Sequence, residues 1–417
     1  MTNTSSKTDL PASVVLVDAY STGAVLARSF AREHVCVHVR SRAAMPAAFS
    51  ASLPQGVFAA DLAFQGDIDA LAAAVAAHRP RAVVAASEFG VELADLLATR
   101  LGLPGNTPDL SRARRDKYLM ANAVAKAGVP VAAQMQGSEL AGLLQWYREQ
   151  PERRVVAKPL DSAGSDDVYF CDDERQVAAA AQRILGKTNL MMQENRAILL
   201  QHQLDGDEYV VNSVSHAGLH WVTDIWRCHK LPAGTDRKIY DREDLVPPAA
   251  AEVAPLIAYA SAVLDALGIG LGPAHTELIL TAQGPRLLET GARISGLANP
   301  AALALATGTD QVELTTECHV DPDRLSQRPR LYERHKHARC VNLIARRAAT
   351  LSHPALQRFF GDLASFESVR FRLADGAQTR PTTDLNTSPG ALFLVHSDPG
   401  QIEHDYHALR QWEERFL

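Results

Sequence analysis

The chain has 417 residues, which is too many for one compact domain and enough for two or three. Apolar residues make up 47% of the sequence and charged residues 22%, so extensive disorder is not expected. The formal net charge of −6 argues against a general nucleic-acid binder, although a small anionic substrate could still bind in a locally basic pocket.

The cysteines and the termini indicate the cellular compartment. The five cysteines form no CxxC pair and no zinc-like spacing, which is typical of reduced thiols in the cytosol. The first residues, MTNTSSKTDLP, lack a basic segment followed by an apolar run, so no secretory signal is expected. No stretch is apolar and long enough to cross a bilayer. We therefore predict a soluble, cytoplasmic protein without membrane or nucleic-acid partners.

The N-terminal part of the chain shows an alternation of strands and helices. Strands are predicted at 13–19, 35–41 and 81–87, and helices at 21–33, 67–80 and 91–103. Short loops between such elements predict an open, doubly wound parallel sheet. The first strand ends in DAYSTG (18–23), with one glycine where a dinucleotide fingerprint needs three, so NAD binding is disfavoured. Glu88 follows a strand, where it either lines a substrate pocket or begins a helix.

After residue 103 the regular alternation of strands and helices in the sequence ends. Asp109 or Ser111 is expected to cap a basic helix that runs to about Gly128. A strand, a loop and a strand follow at 155–171, and then a helix at 172–188. A strand meander is predicted at 198–230, a helix at 250–267, a hairpin at 275–293 and a final helix at 403–417.

The hairpin carries two acidic residues. Its turn, AQGP (282–285), places Glu277 opposite Glu289, on one face if the register is symmetric. Facing carboxylates in an apolar setting repel each other, and a divalent cation such as Mg²⁺ would reverse that interaction. A shifted register would instead leave one glutamate exposed on the other face. The hairpin alone does not decide between these alternatives.

Three further charged residues are weak signals when taken singly. Lys158 ends an apolar strand, before the small-residue loop DSAGSDD (161–167), whose backbone N–H groups could bind phosphate oxygens. This loop is not a Walker A motif, and a solvated turn is the simpler interpretation. Glu208, in LDGDEYVV, and Lys117, in RRDKYLM, would most often be surface residues.

The order and spacing of these residues are more specific. Lys117, Lys158 with its loop, Glu208, and the pair Glu277 and Glu289 resemble the ATP-grasp superfamily of carboxylate–amine ligases over residues 108–315. Five segments are similar to bacterial L-amino-acid ligases: VVAKPLDSAGSDDVYF, EYVVNSVS, VTDIWRCHK, GPAHTELIL and LLETGARISG. The resemblance implies an α/β and α+β protein of four parts: an open parallel N-terminal domain (1–107), a lid (108–205), a large subdomain with the metal site (206–315) and a C-terminal α+β subdomain (316–417).

The same resemblance implies roles for individual residues. The residues expected to contact ATP are Lys117, Lys158, Ser162, Gly164, Ser165, Gln201, Leu204 and Glu208. Glu277 and Glu289 match the ligands of Mg²⁺, with Mn²⁺ as an alternative ion. Arg293 matches an arginine beside the acyl phosphate, and His275 is either beside the incoming amine or a structural strand-end histidine. Weaker substrate candidates are Glu88, Asp224, Arg227, Gly291 and Ser295.

Two positions depart from the pattern of the superfamily. The hinge has His202-Gln203 where an acidic and an aromatic residue are frequent. Gly291 stands where many ATP-grasp enzymes have an asparagine as a third metal ligand, although the amino-acid ligases share the glycine. The number of metal ligands is therefore open.

The implied activity is the ATP- and Mg²⁺-dependent joining of two L-amino acids through an aminoacyl phosphate. ADP and phosphate are the other products, and such enzymes often make small peptide antibiotics or toxins and often form homodimers. The alternatives are a ligase that couples an amino acid to a different carboxylate or amine, and a non-catalytic nucleotide-binding or NAD-dependent protein. The missing GxGxxG and the two hairpin glutamates argue against the last alternative.

Overall fold

The computed structural model describes residues 12–45, 47–234 and 237–417. The stretch MTNTSSKTDLP, on which the expectation of no secretory signal is based, lies outside them. The N-terminal elements are β1 (Ser13–Val17), α1 (Gly23–Phe30), β2 (Val35–Arg40), α2 (Ala47–Ser50), β3 (Phe58–Ala63), α3 (Ile68–Ala76), β4 (Pro80–Ala85) and α4 (Val91–Leu101). Their four strands form a parallel sheet in the order β3-β2-β1-β4.

The predicted parallel α/β domain is confirmed, but its third strand, β3, was not predicted from the sequence. Every residue of β1 is buried, as expected for a central strand covered on both faces. Strand β3 lies at the edge of the sheet, contains Asp61 and has no fully buried residue. An edge strand of this kind lacks the continuous apolar run by which buried strands are detected.

The next region contains a second sheet. Its elements are α5 (Lys117–Lys126), β5 (Gln134–Gly137), α6 (Leu140–Glu149), β6 (Val155–Pro159), β7 (Tyr169–Cys171), α7 (Glu174–Ile184) and β8 (Ile198–His202). The four strands are antiparallel, in the order β5-β8-β6-β7. Helices α6 and α7 pack on this sheet around Leu143, Tyr147, Val177 and Ile184. We call it the lid sheet, because it lies within the range predicted for the lid.

The N-terminus of α5 differs from the prediction. The carboxylate of Asp116 accepts hydrogen bonds from the backbone N–H groups of Tyr118 and Leu119, which makes Asp116 the cap. Asp109 lies in a short 3₁₀ turn, and the Ser111 hydroxyl donates to a buried aspartate, Asp95. The prediction that Asp109 or Ser111 caps this helix is therefore wrong.

The remainder of the chain is built around one large antiparallel sheet. Its elements are β9 (Asp207–His216), β10 (Leu219–Ala233), β11 (Arg237–Leu245), α8 (Val253–Ala266), β12 (Gly272–Thr281), β13 (Gly284–Gly291), α9 (Pro300–Thr307), α10 (Gln311–Val320), α11 (Pro322–Ser326), β14 (His337–Asn342), α12 (His353–Gly361), β15 (Phe366–Phe371), β16 (Gly390–His396) and α13 (Pro399–Phe416). The eight strands run in the order β13-β12-β9-β10-β11-β14-β16-β15. The predicted meander, hairpin and final helix are confirmed.

The large sheet continues across the boundary predicted at residue 315. Strands β14, β16 and β15 extend it beyond β11, so residues 206–315 and 316–417 share one sheet. Arg370, on the edge strand β15, donates to the carbonyl oxygen of Gly296, in the segment that follows the other edge strand, β13, at 3.0 Å. Within the described ranges, no helix is both long and apolar enough to cross a membrane.

Candidate active site

A cavity of about 830 Å³ lies between the lid sheet and the large sheet. Most of the predicted site residues line it: Lys117, Lys158, Ser162, Gly164, Ser165, Gln201, Leu204, Glu208, Asp224, His275, Glu277, Glu289, Arg293 and Ser295. Of the described residues predicted for the site, Glu88, Arg227 and Gly291 lie outside this lining. The fold thus brings together residues that are far apart in the chain.

Glu277 and Glu289 face each other across the hairpin of β12 and β13. They are direct register partners and both line the cavity, so the expectation that they face each other is confirmed. The register is not symmetric, however: a register shift between Glu277 and Leu278 sets Glu277 opposite Glu289. Glu289 Oε2 lies 2.6 Å from Lys117 Nζ. Burial acts to raise the pKa of Glu289, but the ammonium groups of Lys117 and Lys158 outweigh it and lower that pKa overall. The carboxylate of Glu289 is therefore anionic at neutral pH.

Lys117 and Lys158 bring two ammonium groups to this part of the cavity. Lys117 is the first residue of α5, and its Nζ also donates to the carbonyl oxygen of Ser162 at 2.7 Å. Lys158 Nζ donates to Gln201 Oε1 at 2.9 Å. Desolvation, with the nearby charge of Lys117, lowers the pKa of Lys158 to about 8. A polyanion bound here would stabilise both ammonium groups.

The loop 162–167 turns sharply between β6 and β7. Gly164, Ser165 and Asp167 have φ angles of 68°, 60° and 51°, in the left-handed region. Ser162 Oγ donates to Asp166 Oδ2 at 2.7 Å, which holds the two halves of the loop together. Left-handed residues in a tight turn can gather backbone N–H groups around an anion, so the conformation suits the predicted phosphate contact.

Glu208 is held by two residues that the sequence analysis missed. Its Oε2 accepts a hydrogen bond from Lys230 Nζ, and its Oε1 accepts one from the Tyr240 hydroxyl, both at 2.6 Å. Lys230 and Tyr240 are partners on β10 and β11, just beyond a register shift between His229 and Lys230. That bulge decides which side chains face the cavity, and alternation along the sequence does not reveal it.

Arg293 belongs to a network of buried ion pairs. Its Nε donates to Glu88 Oε2 at 2.6 Å, and Glu88 Oε1 pairs with Arg115. Arg115 also pairs with Asp161, immediately before the loop 162–167. Burial would raise the pKa of Glu88, but Arg115 and Arg293 lower it to about 2. Glu88 therefore contacts Arg293 instead of lining the pocket, which corrects the expected substrate role.

Gly291 provides the space for this contact. A Cβ atom at residue 291 would lie 2.8 Å from Glu88 Oε2 and 3.3 Å from Arg293 Nε. Any larger residue would push the carboxylate and the guanidinium away from each other. The glycine, which removes a metal ligand frequent in the superfamily, is thus explained by the approach of Glu88 to Arg293.

His275 is oriented by a chain of polar side chains. Its Nδ1 lies 2.8 Å from Asn212 Oδ1, and Asn212 Nδ2 donates to Asp224 Oδ1 at 2.5 Å. The amide nitrogen of Asn212 donates to Asp224, so the atom of Asn212 that faces His275 is the amide oxygen, which can only accept. Nδ1 of His275 is therefore the donor in that hydrogen bond. The other ring nitrogen, Nε2, lies 3.3 Å from Glu277 Oε1. Asp224 therefore acts on the cavity through Asn212 and His275.

Arg227 is a predicted pocket residue that the structure places elsewhere. Side chains alternate along β10, so that Asp224, Trp226 and Cys228 line the cavity while Arg227 points away. On the opposite face Arg227 Nη2 lies 2.8 Å from Asp207 Oδ2 in a surface ion pair. The prediction of a pocket role for Arg227 is therefore wrong.

Ser295 lies at the segment that follows Arg293. It lines the cavity, and its backbone N–H donates to Gln311 Oε1 at 2.7 Å. Gln311 also donates to the carbonyl oxygens of Ser213 and Ala274, so it ties this segment to β9 and β12. Gln311 carries no motif by which sequence could have found it.

The C-terminal part of the chain also contributes residues to the wall of the cavity. We call Cys340, Arg372, Leu385, Asn386 and Phe393 the C-terminal wall. These residues reach the cavity because β14 and β16 follow β11 in the sheet. No motif marks them in the sequence, which left residues 316–417 without a role.

Comparison with known proteins agrees with this geometry. Residues 152–301 match the ATP-grasp domain family. Over 410 residues the chain is 30% identical to dapdiamide A synthase of Enterobacter agglomerans, an alignment that covers 97% of this chain and 96% of that protein.

Two solved structures are similar in fold. The L-amino acid ligase from Bacillus licheniformis superposes with a TM-score of 0.74 at 18% identity, covering 96% of this chain and 98% of that one. The carboxyaminoimidazole ribonucleotide synthase from Aspergillus clavatus, complexed with ATP, has a TM-score of 0.72 at 13% identity, with 97% and 99% covered.

The fold and the site define an ATP-grasp protein, as the resemblance implied. The chain belongs to the ATP-grasp carboxylate–amine ligases. It is an ATP-dependent ligase, and the alternative of a non-catalytic nucleotide-binding protein is set aside.

Proposed function

We propose that this ligase joins two amino acids into a dipeptide through an aminoacyl phosphate. The observation that carries the proposal is the convergence of two carboxylates, two ammonium groups and one guanidinium on a single cavity: Glu277, Glu289, Lys117, Lys158 and Arg293. Similarity to dapdiamide A synthase and, in fold, to an L-amino acid ligase supports it. By the same reasoning we propose that its product is a small peptide antibiotic or toxin, or a precursor of one.

ATP would lie between the lid sheet and the large sheet. Gln201 and Leu204 would face the adenine, and Glu208 would hold the ribose hydroxyls. The support for this placement is that all three line one side of the cavity with the loop 162–167 beside them. Lys117 and Lys158 would contact the phosphates.

Glu277 and Glu289 fit a hard divalent cation. Throughout the part of the chain that the structure describes, no group of three or more His, Cys, Asp or Glu side chains is arranged to hold a metal ion. Mg²⁺ commonly takes one or two carboxylates and completes its shell with phosphate oxygens and water, which suits this pair. Bound there, Mg²⁺ or Mn²⁺ would neutralise charge on the phosphates.

The reaction would proceed in two balanced steps. A carboxylate oxygen of the first amino acid attacks the γ-phosphorus of ATP, the bond to the β–γ bridging oxygen breaks, and ADP leaves. The amine of the second amino acid attacks the acyl carbon, phosphate leaves with the electrons of the C–O bond, and the amine loses its proton. Lys117, Lys158 and Arg293 would stabilise the phosphoryl and acyl-phosphate oxygens by charge and position.

Phosphate release measured over a panel of amino-acid pairs tests the proposal. We expect ADP and phosphate to form only with particular pairs, together with a dipeptide identified by mass spectrometry. Glu289→Ala should lower the rate roughly a thousandfold or more, because it removes half of the carboxylate pair. Arg286→Ala, on the same strand, is the matched control, since Arg286 bonds only to carbonyl oxygens near the hairpin turn.

The outcomes separate the chemistry from the substrates. Hydroxylamine traps an acyl phosphate as a hydroxamate, so hydroxamate without dipeptide would show a ligase for a different amine. Undiminished turnover in Glu289→Ala, with the fold intact by circular dichroism, would contradict the assigned site.

A further inference from the structure

The C-terminal wall carries an arginine that the proposed reaction does not use. Arg372 follows β15 and lines the cavity. Its Nη1 donates to Ser388 Oγ at 2.9 Å and to the carbonyl oxygen of Gly390 at 3.1 Å, and its Nη2 donates to Asn342 Oδ1 at 3.2 Å. All of these acceptors are neutral. Within the described residues Arg372 forms no ion pair.

The guanidinium keeps hydrogen-bonding capacity on the cavity side. Arginine has five N–H groups, and the contacts above occupy three of them. One N–H on Nε and one on Nη2 remain without an acceptor in the part of the chain that the structure describes. Donors on adjacent nitrogens of a planar guanidinium suit the two oxygens of a carboxylate.

Glu243, the nearest acidic neighbour, does not cancel this charge. It is the register partner of Cys340 and lines the cavity. Desolvation raises the pKa of Glu243 to about 8, although Arg372 acts to lower it. Solvent reaches Arg372 from the cavity, yet desolvation also lowers the pKa of its guanidinium. A cation without a charged partner therefore faces the cavity at neutral pH.

Arg372 bonds to a segment that lies beside the loop 162–167, where the phosphates of ATP are proposed to bind. A Cβ atom built on Gly164, in the loop 162–167, would lie 3.7 Å from the side-chain amide of Asn386. Ser388, two residues further on, accepts a hydrogen bond from Arg372. Two residues of chain span at most about 7 Å, so Arg372 is bonded to the same short segment, 386–388, that lies beside this loop.

The cavity that Arg372 lines also has apolar side chains. Trp226, Cys228, Leu385 and Phe393 line the adjacent cavity surface, and the rings of Trp226 and Phe393 meet edge to face at 6.2 Å between centroids. A guanidinium without an ion-pair partner, in a cavity that also offers apolar side chains, matches a small molecule that has an anionic group and an apolar side chain.

We propose that Arg372 binds the α-carboxylate of the amine-donating amino acid, whose apolar side chain packs on the C-terminal wall. This inference rests on the proposed function. In that reaction the first amino acid converts its carboxylate into the acyl phosphate, so only the amine donor still has a free carboxylate. Residues 316–417 would thus select the second amino acid of the dipeptide.

Steady-state kinetics of Arg372→Ala and Arg372→Lys test this assignment. For Arg372→Ala we expect the KM of the amine donor to rise roughly 10- to 100-fold, as for a lost charged hydrogen bond, while the KM values of ATP and the acyl donor change less than about twofold. Arg372→Lys should be intermediate, because lysine keeps the charge but not the fork. Arg358→Ala, an exposed arginine on α12, is the control.

A second readout compares an amine donor with its α-carboxamide. Wild-type enzyme should prefer the free acid, and Arg372→Ala should lose most of that preference, which a merely structural defect would not produce. An unchanged KM of the amine donor in Arg372→Ala, or a rise confined to the acyl donor, would reject the role of Arg372. A wild-type enzyme that forms no dipeptide with any pair would instead reject the proposed function itself.

Discussion

We call Lys117, Lys158, Glu208, Lys230 and Glu289 the nucleotide wall, and its charges are mostly paired, unlike the charge on the C-terminal wall. Lys158 is the exception on the nucleotide wall, because it donates to the neutral Gln201. On the nucleotide wall, Lys117 pairs with Glu289 and Lys230 pairs with Glu208. On the C-terminal wall, the acceptors that Arg372 has among the described residues are all neutral. Side chains that form ion pairs with each other are held in place before a ligand binds. A charged side chain without an ion-pair partner instead favours a ligand that carries the opposite charge. Under the proposed function, the first wall would be largely preorganised for chemistry, and the second would be open to select the amine donor.

Among the substitutions that test this comparison, one at Lys158 is expected to change the kinetics most. Lys158→Met should lower kcat/KM for ATP on the order of 100- to 1000-fold, because the variant loses a charge aimed at the phosphates. Lys126→Met, exposed at the end of α5, should change little. Kinetics with varied ATP give both values. A Lys158→Met enzyme with normal ATP kinetics would mean that the nucleotide lies elsewhere.

The same lysine predicts a proton uptake. The pKa of Lys158 is lowered to about 8, so at pH 9 the side chain is mostly neutral, and bound phosphates would raise its pKa and protonate it. Calorimetric titration of ATP at pH 9 in two buffers of different ionisation enthalpy should therefore report proton uptake by wild type. Lys158→Met should take up less, and equal uptake would place the proton on another group.

The Glu88–Arg293 contact is expected to have the next largest effect. Glu88→Gln and Gly291→Ala should each lower kcat roughly 10- to 100-fold with a nearly unchanged KM for ATP, since both misplace the guanidinium without touching the nucleotide. Glu92→Gln, an exposed neighbour on α4, is the control. A change in the KM for ATP alone would show that Glu88 serves nucleotide binding instead.

The pH dependence of the melting temperature of Glu243→Gln tests the charge state of the cavity beside the C-terminal wall. The pKa of Glu243 is raised from 4.5 to about 8 in the fold, so its contribution to stability is greatest below pH 4.5 and is lost as the pH rises through about 8. Glu243→Gln should therefore raise Tm at pH 9 by on the order of a few degrees and have a much smaller effect at pH 5. Thermal denaturation followed by circular dichroism measures this. The exposed Glu149→Gln should show no such pH dependence.

Arg227 gives the smallest expected effect. Arg227→Ala should leave all kinetic constants within about twofold of wild type, because a surface ion pair is worth about 0–1 kcal/mol and the residue faces away from the cavity. A large rise in any KM would bring Arg227 back into the site and would break the alternation argument for β10.

Sequence patterns predicted the local parts of the site well. The glutamates of the hairpin are close in sequence, so a short turn brings them near each other, and a register shift beside Glu277 makes Glu277 and Glu289 partners. Lys158 and its loop were recognisable because an apolar strand meets a run of small residues. The prediction of a pocket role for Arg227 failed, because the direction of its side chain depends on which face of a long strand lines the cavity.

The sequence by itself determined the α/β start of the chain, the hairpin, the final helix and the order of charged residues along the chain. Only the tertiary structure decided which of those charges meet. Glu88 and Arg293 are 205 positions apart, and Arg372 reaches the cavity through the pairing of β14, β15 and β16. Such contacts follow from sheet order, which arises from packing between distant segments and leaves no local pattern to detect.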